Sequence, residues 1–128
     1  MKLLIDTHTL IWAVDNPAKL GRTAAAELRN PGNALLLGAG SLWEISIKVG
    51  QKKLDLSLPF RQWMSQAITD LGLTILPITV ESADVQAGLP RHHGDPFDRL
   101  LVAQALVDQV PIVSGDKQLD AYGVTRIW

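Results

Sequence analysis

Cysteine is absent from the 128-residue chain, which excludes disulfides, a thiol nucleophile and any thiolate-bound zinc or iron–sulfur centre. That absence fits a reducing cytoplasm, the compartment expected here. Long hydrophobic runs are missing too. Met1-Lys2-Leu3-Leu4-Ile5 is broken by Asp6 far short of a signal-peptide core, and Ala34 to Gly40 is too short to cross a bilayer. No membrane role is expected. Charge of one sign is not in excess either, since twelve Lys and Arg stand against thirteen Asp and Glu for a net charge of -1. A polybasic tail is excluded, and any affinity for nucleic acid has to come from a local patch. Repeats, low-complexity tracts and linker-like stretches are lacking, and a hydrophobic content of 47% argues against disorder. The length suits a single domain over residues 1–128, burying roughly two thirds of its unfolded surface.

What is present alternates between short apolar runs and longer stretches of helical period. Lys2 to Ile5, Ala34 to Leu37, Leu73 to Leu76 and Pro111 to Val113 read as buried strands, each bounded by Gly, Pro or Asp. Val124 to Trp128 reads as a last strand, entered by the turn at Tyr122-Gly123. Helical spacing covers Thr7 to Val14, Arg22 to Arg29, Ser41 to Val49, Phe60 to Leu71, Val80 to Ala87 and Phe97 to Gln109, with a short helical turn after Asp116. Such alternation predicts an α/β fold of three layers, with a mainly parallel sheet covered on both faces.

Ligands in open parallel sheets gather outside the carboxyl ends of strands. Asp6 follows the first strand and Asp116 the strand Pro111 to Val113, so the two share one edge if those strands are neighbours. Each also has a purely local reading as a helix N-cap. Glu44 lies in Gly40-Ser41-Leu42-Trp43-Glu44-Ile45-Ser46-Ile47-Lys48-Val49. At ~100° per residue, Trp43 falls on the wide apolar face, while Glu44 and Lys48 share the narrow stripe left over. A solvent-side i,i+4 pair accounts for that stripe by itself. In His92-His93-Gly94-Asp95-Pro96-Phe97-Asp98-Arg99, Asp95 and Pro96 signal a helix start. Asp98 falls at the capping-box position, at the mouth of a helix apolar nearly all round, where a carboxylate is partly desolvated. Capping is assigned to Asp95, and Asp98 is the functional candidate.

Together these segments resemble a known family. Leu4-Ile5-Asp6-Thr7-His8-Thr9-Leu10-Ile11-Trp12 is similar to the opening motif of PIN-domain ribonucleases, above all the VapC-type toxins of type II toxin–antitoxin pairs. Ser41 to Lys48 resembles the family's second acidic motif, His93 to Ala105 its third, and Val113-Ser114-Gly115-Asp116 its fourth, with Ser114 where many relatives carry Thr. The likeness spans essentially the whole chain in order, and the third block is the most specific. It implies a three-layer α/β/α PIN-like domain with a four- or five-stranded sheet, and an acidic metal site made by Asp6, Glu44, Asp98 and Asp116.

Converging carboxylates repel by roughly 4 kcal/mol per close pair at an effective dielectric of ~20. An empty site is therefore expected to retain protons, and oxygen-only donors select Mg²⁺ or Mn²⁺ over zinc. The reaction expected from the resemblance is metal-assisted hydrolysis of an RNA phosphodiester, leaving a 5′-phosphate and a 3′-hydroxyl. The resemblance also implies a cognate antitoxin seated in a groove along Thr7 to Val14 and Ser41 to Val49, and a homodimer. His8, His92 and His93 are expected to be bystanders. Lys48, Lys52, Lys53, Arg91, Arg99 and Lys117 are weighed as RNA-backbone contacts, with Arg99 alternatively pairing with a carboxylate of the site. Trp12, Trp43, Trp63 and Trp128 are expected to be core or interface anchors. A haloacid-dehalogenase-type phosphatase needs an Asp where His8 stands. A receiver domain needs an Asp near Pro77-Ile78-Thr79, where none occurs.

Overall fold

The computed structural model describes residues 1–128 and contains the elements that the apolar periodicity predicts. They run β1 (Lys2–Ile5), α1 (Thr7–Asp15), α2 (Arg22–Arg29), β2 (Ala34–Gly38), α3 (Ala39–Gly50), α4 (Phe60–Leu71), β3 (Thr74–Leu76), α5 (Val80–Gly88), α6 (Pro96–Asp108), β4 (Ile112–Val113) and β5 (Arg126–Ile127). Two 3-10 turns, Pro17–Lys19 and Lys117–Tyr122, complete the chain. The last strand is shorter than Val124 to Trp128, and other boundaries move by a residue or two.

All five strands are parallel, in the order β3-β2-β1-β4-β5. β1 is central, with Leu4 registered against Leu36 on one side and Ile112 on the other. Because side chains alternate along a strand, β1 divides its residues between two cores. Leu3 and Ile5 join Leu35, Leu37 and Val113 against Leu10, Ala24, Ile45, Trp63, Met64 and Ala67, which come from α1 to α4. Leu4 joins Leu36 and Ile112 against Leu101, Val102 and Ala105 of α6. The sheet therefore lies between two helical layers, and α5 packs on α6. No helix is long and apolar enough to cross a membrane.

Close helix approach is set by glycine. A Cβ at Gly38 would come within 2.7 Å of Gln104 Oε1, and one at Gly40 within 2.7 Å of Leu100 Cδ2. The start of α3 thus reaches α6 only because both positions lack a side chain. Gln104, itself buried, donates to the Leu76 and Pro77 carbonyls and joins α6 to the end of β3. Trp63 is fully buried, as expected of a core anchor, and its Nε1 donates to Asp15 at 3.0 Å.

Two expectations for α3 need correction. Trp43 is 62% exposed and meets only the edge of Phe97, whereas Glu44 is 3% exposed. The i,i+4 pair exists, with Lys48 Nζ 2.7 Å from Glu44 Oε2, but its carboxylate faces inward. Burial is tolerated because Thr7 Oγ1 donates to the other oxygen at 2.6 Å. A helical wheel ranks apolarity and cannot register a polar partner supplied by α1.

Candidate active site at the carboxyl edge of β1 and β4

Neighbouring strands bring Asp6 and Asp116 to one edge, as the strand-end rule predicts. The Asp6 N–H donates to the Val113 carbonyl at 3.2 Å, and Thr9 Oγ1 donates to the same carbonyl at 3.0 Å. These bonds fasten the start of α1 to the end of β4. Local capping and placement at the shared sheet edge coexist at both acids. Asp6 Oδ1 accepts the Thr9 N–H at 2.7 Å and Asp116 Oδ1 accepts the Gln118 N–H at 3.0 Å, each using one oxygen as an N-cap. Buried Ser114 accepts the Asp116 N–H on its hydroxyl at 3.0 Å, a role that either Ser or Thr fills.

Asp98 enters from α6. Asp95 caps that helix, its Oδ1 accepting from the Phe97 and Asp98 N–H groups. The reciprocal capping-box bond is not made, because the Asp95 N–H donates to His93 Nδ1 at 3.1 Å instead. Asp98 is left facing Asp116 across the His93 ring. His93 Nε2 lies 3.2 Å from Asp98 Oδ2 and 3.0 Å from Asp116 Oδ2. Burial, followed by the charge of Asp95, pushes the Asp98 carboxyl up from 3.8 to about 7, with Glu44 and Asp6 adding to the rise and His93 opposing it. Proton retention at Asp98 therefore owes more to desolvation than to repulsion among the four acids, the cause the sequence suggests.

Glu44 stands behind this group. Both its oxygens are engaged, by Thr7 and by Lys48, and the Glu44 carboxylate holds the Lys48 ammonium above its ordinary range. The structure thus brings Asp98 and Asp116 together through His93, sets Asp6 and Asp116 on the wall of one cavity, and ties buried Glu44, whose charge reaches Asp98, to a half-buried Lys48.

His93 is the residue the sequence reading misses. Its only signal is position, two residues before the capping Asp95, and bystander histidines share that signal. Arg99 also departs from expectation. It is buried and donates to the Pro90, Gln86 and Leu89 carbonyls and the Tyr122 hydroxyl, so it pins the end of α5 and the following loop and pairs with no carboxylate. The Tyr122 hydroxyl in turn accepts the His93 N–H at 2.9 Å, which fixes the loop that carries the imidazole.

The donor set fits a hard divalent cation. His93, Asp98 and Asp116 each offer one atom, all within 4.8 Å of one another, with Asp6 on the adjoining wall. Carboxylate oxygens suit Mg²⁺ or Mn²⁺. The imidazole is not poised as a ligand. Since Nδ1 accepts the Asp95 N–H, the neutral ring carries its proton on Nε2, and a protonated nitrogen has no lone pair for an ion. His93 instead donates to Asp98 and Asp116, two of the side chains that would hold a cation.

Comparison with known proteins matches residues 3–124 to the PIN domain family. Ribonuclease VapC22 of Mycobacterium tuberculosis is 26% identical over 121 residues, covering 94% of this chain and 91% of that protein. Among solved structures, VapBC2 from Rickettsia felis, bound to a DNA fragment from its promoter, superposes with a TM-score of 0.71 at 15% identity, covering 98% of this chain and 97% of that one. Mycobacterium tuberculosis VapC20, described as a Sarcin-Ricin loop cleaving toxin, gives 0.64 at 17% identity, covering 96% of each chain. These structural likenesses bear on the fold.

Proposed function

The chain belongs to the PIN-domain family, and from that premise we propose that it is an endoribonuclease acting as the toxin of a type II toxin–antitoxin pair. One observation carries the reading: a proton-retaining Asp98 faces Asp116 at the carboxyl edge of two adjacent parallel strands, with Asp6 on the same wall. The naming of VapC22 as a ribonuclease supports the activity. The Rickettsia felis VapBC2 complex supports a cognate antitoxin as partner. A homodimer belongs to the same reading, as does action in the cytoplasm.

Asp6, Asp98 and Asp116 are the side chains that would hold Mg²⁺ or Mn²⁺. Such an ion supplies Lewis-acid stabilisation of a phosphodiester and a nucleophile from water at neutral pH. The chain's own residues prepare that site. The cap bonds of Asp6 and Asp116 fix one oxygen of each carboxylate and so orient the other. Burial is the largest cause of the raised Asp98 pKa, and a cation held beside it would favour the ionised carboxylate directly, as any close opposite charge does. Glu44 contributes negative charge while remaining bonded to Thr7 and Lys48. His93 Nε2, which lies against the Asp98 and Asp116 carboxylates, would offer a hydrogen-bond donor to a phosphate bound at this edge.

Purified protein incubated with a synthetic RNA of mixed sequence tests this reading. Cleavage is expected with Mn²⁺ or Mg²⁺, leaving 5′-phosphate ends, and is expected to vanish with EDTA or in Asp98→Asn. Equal cleavage by Asp98→Asn at saturating Mn²⁺ would remove Asp98 from the site. Metal-independent cleavage would overturn the proposal.

A further inference from the structure

A cavity of about 640 Å³ opens beside Asp6 and Asp116. Beyond these two acids, its lining is His8, Trp12, Lys19, Gly115 and Trp128. Its size lies within the range of roughly 300–1,000 Å³ typical of small-molecule sites. Trp12 and Trp128 are half-buried and stand 5.8 Å apart between ring centroids, tilted by 57°. Trp128 packs against the core and both rings keep exposed surface, which suits the interface half of the core-or-interface reading, and neither is sealed. Trp63 is, with no exposed surface.

The Trp128 side of this wall is close-packed. A Cβ on Gly115 would lie 3.0 Å from Trp128 Cε2, and one on Gly21 only 2.5 Å from the Trp128 backbone carbon. The indole therefore rests on bare backbone next to Asp116, held in place before anything binds. On the other side, exposed Lys19 carries its ammonium 5.8 Å from the Trp12 ring centroid. The lining thus presents three chemistries: carboxylates suited to a cation and hence to a phosphate, then two aromatic rings, then the exposed Lys19 ammonium lying over the Trp12 ring. A nucleotide strand presents a phosphate, a flat base and a further phosphate. Aromatic rings accept the π-face of any base, and lysine meets backbone phosphate without reading sequence.

We infer that this Trp12–Trp128 cavity receives an unpaired base of the RNA next to the cleaved phosphate, with Lys19 against a neighbouring phosphate. The inference rests on the ribonuclease reading above and adds to it the side chains that would take up a base beside the acids. A base inside a duplex is already stacked, so the site selects single-stranded segments or loops with splayed bases over paired stems.

The test is RNA binding without turnover. Fluorescence anisotropy in EDTA would follow a short labelled single-stranded RNA, the same RNA with one abasic position, and a fully paired stem. The parent is expected to prefer the single strand. Trp12→Ala should weaken that binding by about tenfold, as expected for loss of one stacking contact, and Trp12→Phe should recover most of it. Lys19→Ala should flatten the salt dependence. The abasic RNA and Trp12→Ala should lose the same interaction, so their combined effect should match either alone. A merely structural role for Trp12 would give additive losses instead.

Trp43→Ala, which removes a 62% exposed tryptophan outside the cavity, is the matched control and should bind as the parent does. Mn²⁺ affinity by calorimetry should be unchanged in Trp12→Ala, reporting an intact acidic site. Equal binding of single-stranded RNA by parent and Trp12→Ala, with cleavage still abolished by Asp98→Asn, would overturn the base pocket and leave the nuclease standing. Weakened binding of an antitoxin segment with RNA binding unaltered would assign the cavity to a protein side chain and also overturn it. No RNA binding and no cleavage by the parent would remove both readings.

Discussion

An Asp98→Asn chain should be more stable than the parent at pH 8 in the absence of divalent metal, and the site fixes the size of the gain. The Asp98 carboxyl sits near 7 in the fold against 3.8 in the unfolded chain, chiefly through burial and the charge of Asp95. Between these values the folded state binds a proton that the unfolded state has lost. The stability this proton confers is complete below pH ~4, declines as pH rises, and is gone above pH ~7. At about 1.4 kcal/mol per pKa unit the ceiling is about 4 kcal/mol, and relaxation around a side chain that is 30% exposed brings the expected loss to about 2–4 kcal/mol. Asp15 works in another window. Burial raises its carboxyl, but hydrogen bonds from Ser57 and Trp63 outweigh that and hold it below the usual range, so its contribution is lost only on acidification. Comparing urea unfolding of the parent and Asp98→Asn at pH 5 and pH 8 isolates Asp98, because every other titratable group is common to both chains. At ~1–3 kcal/mol per molar, the parent's midpoint should fall by about 1–2 M across this range. Asp98→Asn should fall far less and exceed the parent at pH 8. Mn²⁺ at a hundred times its Kd should restore about 2.7 kcal/mol to the parent alone. Equal pH slopes for the two chains, or a less stable Asp98→Asn at pH 8, would refute the reasoning.

Three further outcomes follow from particular contacts. His93→Ala should tighten Mn²⁺ binding by about fivefold or more, because it removes a hydrogen-bond donor worth ~1–3 kcal/mol to the carboxylates; weaker binding by calorimetry would instead make the imidazole a ligand. Trp63→Ala should cost about 3–5 kcal/mol in urea unfolding, since the ring is fully buried and its Nε1 holds Asp15. Arg99→Ala should lower stability by about 2–4 kcal/mol, and Arg99→Lys should not restore it, because one ammonium cannot span four separate acceptors; full recovery by Lys on thermal melting would count against that geometry.

The sheet was readable because its strands are short apolar runs ended by Asp, Gly or Pro. The same runs placed Asp6 and Asp116 at strand ends, needing only the adjacency of β1 and β4. Asp98 was readable from the conflict between a carboxylate and the buried helix behind it. Side-chain partnerships between distant segments were not. Glu44 is buried because Thr7, far away in sequence, supplies a hydroxyl. His93 reaches two acids on separate elements, and Arg99 finds carbonyls at the end of α5. Trp128 lines the cavity beside Asp116 because Gly21 and Gly115 let it lie on backbone. No local periodicity encodes any of these.

The central claim is that the acids at this edge cut RNA. The most direct measurement is 5′-end mapping of total RNA after brief induction in a bacterium lacking the antitoxin, with Asp98→Asn as matched control. New 5′-phosphate ends at a few positions, present with the parent and absent with the variant, are the predicted result. Identical end profiles from the two chains, at equal soluble expression, would contradict it.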